Sequence, residues 1–106
     1  MNRITQEDVD KQFERLNREI QRWGLLHGSE RLGMENGSKT NGRAYRLFVM
    51  ISASSGHYRP PVGEDFLGVT LREAYNELAS RSRTLEDARY ALSRQGRWVE
   101  PKVRPS

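Results

Sequence analysis

Apolar residues recur at helical spacing in two stretches of the chain and at alternate positions in a third. Val9, Phe13, Leu16, Ile20 and Trp23 follow one another at intervals of 4, 3, 4 and 3. That spacing places all five on one side of a helix as a narrow seam. Thr5 stands where a cap belongs, with Asp8 at the third helical position, and Ile4 with Val9 makes a hydrophobic staple. Gly24 is placed to end the helix, so the first helix is predicted over about residues 5–24. Its other sides carry Glu7/Lys11, Glu14/Arg18 and Arg15/Glu19, each four residues apart and each worth roughly 0.2–0.5 kcal/mol as a pair on one helix.

The second helical stretch opens on "TLRE", a capping box from Thr70 to Glu73. Leu71, Tyr75, Leu78, Leu85 and Leu92 share its stripe, with Ala74, Ala88 and Ala91 beside them; Ser82 and Arg89 interrupt it. The predicted helix covers about residues 70–95 and stops at Gly96, and the sequence leaves open whether it is continuous or bent or broken near Ser82-Arg83-Thr84. Alternation marks the third stretch. In "RAYRLFVMIS" (43–52), Tyr45, Leu47, Val49 and Ile51 point one way and Arg46, Phe48 and Met50 the other. The first set is continuously apolar and the second mixed, so the Arg46 face is expected to be the more exposed. "ERLGMEN" (30–36) reads as a weaker strand, joined to it across Asn36-Gly37 and Asn41-Gly42 as a hairpin over about 30–52. "DFLGV" (65–69) reads as a short third strand.

The order α-β-β-(β)-α predicts an α+β fold in two layers, a small antiparallel sheet packed on two amphipathic helices. Residues 1–96 form the single domain; 97–106 read as a flexible basic tail, interrupted by Pro101 and Pro105, with Trp98 and Val99 as anchors. The start "MNRITQEDVD" has no apolar core of a signal peptide, and no run approaches the ~18 apolar residues of a membrane span. A soluble, intracellular protein is expected. The net charge is +4 and all but three of the 18 basic residues are arginine. The excess lies late: residues 1–24 carry five basic and five acidic groups, residues 70–106 eight and five.

Little in the chain points to catalysis. Cysteine is absent, and the two histidines, His27 and His57, lie far apart, so no metal-ligand spacing arises. "SASSGH" sets Ser54, Ser55 and His57 close together but lacks a nucleophile elbow. "GSERLG" (28–33) lacks the Lys-Ser/Thr of a phosphate loop. The acid pairs Asp8/Asp10, Glu64/Asp65 and Glu86/Asp87 read as solvated helix or loop positions. No catalytic residue, cofactor or metal is therefore assigned.

Three features bear on binding. Lys11, Arg15, Arg18 and Arg22 form a stripe at 4, 3, 4 spacing that can track phosphates, although acids at 7, 8, 10, 14 and 19 offset much of its field. The seam from Val9 to Trp23 is core if it folds onto the chain's own sheet, and the contact of a homodimer if it meets a second copy. The 53–65 loop, held extended by Pro60-Pro61, offers His57, Tyr58 and Arg59. It reads either as a connector or as a partner contact.

Residues 43–92, with "YRLFVMISASSGHYRPPVGEDF", "LGVTLREAY" and "LEDARYAL", resemble a group of small proteins encoded by phages of mycobacteria and other actinobacteria. No activity is established for that group, so the resemblance implies context and no site residues: a small phage protein in the cytoplasm of the infected bacterium. The leading expectation is a non-enzymatic protein-interaction module acting on a host or phage protein. The alternative is a weak nucleic-acid binder using arginine-rich surfaces.

Overall fold

The computed structural model describes residues 3–26, 30–35, 44–51 and 65–99. Its elements are α1 (Gln6–Arg22), β1 (Glu30–Glu35), β2 (Tyr45–Ile51), β3 (Phe66–Gly68) and α2 (Leu71–Arg94). The fold is α+β, in the order α-β-β-β-α. The loop carrying His57, Tyr58 and Arg59 and the 36–43 turn lie outside the described residues, as does the tail from residue 100 onward.

Both helices are closed by the same devices at each end. Thr5 accepts a hydrogen bond from the Asp8 backbone N–H at 3.2 Å, while Asp8 Oδ2 accepts from the Thr5 N–H at 2.9 Å. Thr70 and Glu73 repeat the exchange, each bond at 3.1 Å. At the far ends Gly24 (φ 71°) and Gly96 (φ 68°) take up the left-handed conformation. There the N–H of Leu25 reaches the Ile20 carbonyl, and that of Arg97 the Leu92 carbonyl, which completes a Schellman motif at each C-terminus.

The sheet is antiparallel with β2 in the centre, flanked by β1 and β3. Leu32 faces Val49, Met34 faces Leu47 and Gly33 faces Phe48. A Cβ on Gly33 would overlap the Phe48 ring, so glycine is what lets that ring lie across the neighbouring strand. On the other edge the register shifts: Tyr45 pairs with Gly68 but Arg46 pairs with Phe66. The extra residue on β3 is Leu67. This bulge turns Leu67 into the core, 4% exposed, and leaves Phe66 outside at 42%.

Both helices pack on one face of the sheet. Val9, Leu16 and Ile20 of α1 and Ala74 and Leu78 of α2 join Tyr45, Leu47 and Leu67 in one cluster, with Ile4, Phe13, Leu85 and others around it. Each fully buried aliphatic side chain contributes about 1.5–3 kcal/mol. Three residues of the α1 seam, Val9, Leu16 and Ile20, have no exposed surface and belong to this chain's own core, while Phe13 and Trp23 are half-buried at its border.

Two features of α2 that the sequence left open are settled by the helix itself. The helix is continuous through Ser82-Arg83-Thr84, with no break. Ala88 and Ala91 are exposed, whereas Ser82 is fully buried. Ser82 does not weaken the stripe; its small side chain occupies a buried position on the α2 core side, where a leucine would need more room. Its Oγ has no hydrogen-bond partner among the described residues. Ser82→Ala should therefore leave stability unchanged or raise it, because an unpaired buried hydroxyl is removed and helix propensity improves. Ser82→Leu should lower stability by about 1–3 kcal/mol through overpacking. Urea denaturation of both variants tests this, and a loss above about 1 kcal/mol in Ser82→Ala would show that the hydroxyl is bonded.

Candidate interaction surfaces

Charged side chains join the two helices. Arg15 donates from Nε to Glu86 Oε2 at 2.9 Å and from Nη2 to Oε1 at 2.6 Å, a bidentate pair. One turn further along, Arg89 Nε donates to Glu19 Oε1 at 2.7 Å. The side chains of this second pair are only 14% and 6% exposed. The partner numbers rise together on both helices, so α1 and α2 run in the same direction. Trp23, the C-cap of α1, continues the series against Trp98, edge to face at 4.6 Å between ring centres. Trp98 therefore anchors the segment that follows α2, while Val99 is 81% exposed and anchors nothing.

Paired on one helix, Arg15 and Glu19 would have joined each other; instead each is bonded to α2. Of the phosphate-binding stripe, Arg15 is thereby committed to Glu86. Lys11 lies 3.7 Å from Glu7 on the exposed side of α1. Arg18 and Arg22 are exposed further along. The stripe is thus divided between Arg15, bonded to α2, and Lys11, Arg18 and Arg22 at exposed positions.

The face of the sheet turned away from the helices is the second surface. It carries Arg31, Gly33 and Glu35 from β1, Arg46, Phe48 and Met50 from β2, and Phe66 from β3. Among the described residues no helix or strand lies over it. Arg46 sits 5.5 Å above the Phe66 ring centre and 3.6 Å from Asp65; at this exposure the ion pair contributes little. Phe48, Met50 and Arg46 are half-buried by their neighbours. Among the described residues, Arg31 and Arg46 are balanced by Glu35 and Asp65, so this part of the face pairs apolar and aromatic side chains with offsetting charges. On the other side of β3, Arg81 donates to the Phe66 carbonyl at 3.1 Å and to Glu77 at 3.0 Å, which ties the short strand to α2.

Among the described residues no three His, Cys, Asp or Glu side chains converge. No helix of the described residues is long and apolar enough to cross a membrane.

The ion pairs set a pH dependence. The hydrogen bonds from Arg15 hold the Glu86 carboxyl below its ordinary 4.5, against the opposing effect of burial. The same bonds raise Arg15, and the bond to Glu19 raises Arg89. The Thr5 backbone N–H likewise lowers Asp8. Near pH 4 the folded chain consequently binds fewer protons than the unfolded one. The contribution of Glu86, roughly 1 kcal/mol at its partial exposure, is complete above the unfolded value and is lost as pH falls through the lower folded value. Glu86→Gln should lower the urea midpoint at pH 7 and flatten its decline between about pH 5 and 3. An identical acid decline in wild type and variant would contradict this.

No protein-family model, no curated protein and no solved structure matches this chain, so its surfaces are read from their own chemistry.

Proposed function

We propose that this chain is a non-enzymatic interaction module that docks a partner protein on the outer face of its sheet. One observation carries the reading: a three-stranded sheet has both helices on one side, and its other side presents Phe48, Met50 and Phe66 with Arg46. Aromatic residues, methionine and arginine are enriched in protein–protein contacts. The balance of Arg31 and Arg46 against Glu35 and Asp65 favours a protein surface of mixed polarity over a polyanion. The segment bearing His57, Tyr58 and Arg59 joins β2 to β3, two strands of that sheet, and is proposed as the rim of the contact. The resemblance of residues 43–92 to phage-encoded proteins supports a host or phage partner in a bacterial cytoplasm.

The test compares wild type with Arg31→Asp/Phe66→Asp as immobilised bait in nuclease-treated bacterial lysate. Both positions are exposed, so the melting temperature should change little. A protein retained by wild type should be retained at least tenfold less by the variant, about 1.4 kcal/mol. Equal retention by a folded variant removes the sheet face from the interface.

A further inference from the structure

We infer that the solvent side of the helix pair, at its C-terminal end, binds single-stranded nucleic acid through Arg18, Arg22, Arg94 and Arg97, with Tyr90 as a stacking platform. This surface lies on the layer opposite the outer sheet face, and the inference stands independently of the function proposed above.

The parallel course of the helices creates the site. Arg18 and Arg22 follow Arg15 on α1 by three and seven residues; Tyr90 and Arg94 follow Glu86 on α2 by four and eight. At 3.6 residues per turn both sets flank the Arg15–Glu86 contact on its solvent side. Arg97, the residue after Gly96, stands beside Trp98, which lies against Trp23. Arginines from distant parts of the sequence thus lie at the same end of the helix pair. Arg18, Arg22, Arg94 and Arg97 are all exposed.

The local charge is one-sided. Residues 15–22 and 86–97 carry six arginines against three acids. Two of those acids, Glu19 and Glu86, are engaged by Arg89 and Arg15. The helix C-termini oppose an anion, but only with about −0.5 charge each. Their sum of about −1 is smaller than the surplus of arginine, so the positive potential wins.

Tyr90 selects among polyanions. It is 56% exposed, the Arg89 guanidinium lies 4.8 Å from its ring centre, and it borders a shallow open depression with Asp87, Ser93 and Arg94. An exposed ring beside arginines fits an unstacked base with its adjoining phosphates; duplex bases are already stacked and offer it no face. An acidic peptide would engage the arginines but make no use of the ring.

Fluorescence anisotropy with a labelled 20-nucleotide oligothymidine, from 50 to 200 mM salt, tests the inference. Wild type should bind, with affinity falling as salt rises at a slope of roughly −2 to −3, as expected for three or four phosphate contacts on a single strand. Joint replacement of Arg18, Arg22, Arg94 and Arg97 by Gln should weaken binding at least tenfold with the fold retained by circular dichroism. Tyr90→Ser should weaken it severalfold with the salt slope unchanged, whereas Lys11→Gln should have no effect. Any one of four results overturns the inference: no binding by wild type at 50 mM salt, undiminished binding by the fourfold variant, a duplex bound as tightly as the single strand, or polyglutamate competing as well as the oligonucleotide.

Discussion

Two helices that lie side by side with four charges between them can do so in only a few registers. Glu19 and Arg89 are almost wholly withdrawn from water, and removing one partner from such a pair leaves a charge that the interior cannot solvate. A slip of one turn along either helix would expose the same penalty. The pair therefore fixes how α1 and α2 align, and the Arg15–Glu86 fork repeats the constraint one turn earlier. The remaining topology follows. Three antiparallel strands between the helices return the chain so that α2 runs beside α1 in the same direction. The third of them need only be three residues long, because its bulge and the Arg81 bond to the Phe66 carbonyl hold it against α2.

Alignment of the helices also decides what each face of the molecule presents. On the sheet side the core takes the alternate residues of β2, and among the described residues the outward face offsets Arg31 and Arg46 with Glu35 and Asp65 around Phe48 and Phe66. On the helix side the parallel termini collect arginines at one end. Neither surface is a property of one element: Phe66 joins Arg46 only because Leu67 is bulged inward, and the segment carrying Arg97 is held at the C-terminal end of α1 by Trp98 packing on Trp23. Different partner chemistries are therefore proposed for two faces of one small domain.

The features legible in the sequence were those whose cause is local. Thr5 with Asp8 and Thr70 with Glu73 are capping boxes whatever the helix packs on. The Val9–Ile20 seam and the alternation of Tyr45 to Met50 announce a buried side by period alone. What escaped depends on another element. Ser82 and Arg89 looked like defects in the α2 stripe, because nothing on α2 states that α1 approaches there or that Glu19 waits opposite Arg89. A signal was present nonetheless: Arg15 and Glu19 border one seam in the order plus, minus, and Glu86 and Arg89 border the other in the order minus, plus. Similarly, the 4, 3, 4 spacing groups Arg15 with Lys11, Arg18 and Arg22 on α1 alone, whereas the carboxylate that engages Arg15 comes from α2.

The central claim is that Glu19 and Arg89 act as one buried unit that sets the helix register. A double-mutant cycle in urea denaturation, with Glu19→Met, Arg89→Met and the double variant, tests it most directly. Each single change should cost about 3–5 kcal/mol, and the double variant should recover most of that loss, since two apolar side chains of similar volume leave no unpaired charge. Single costs that add in the double variant to within about 0.5 kcal/mol would contradict the claim and show that the two residues contribute independently.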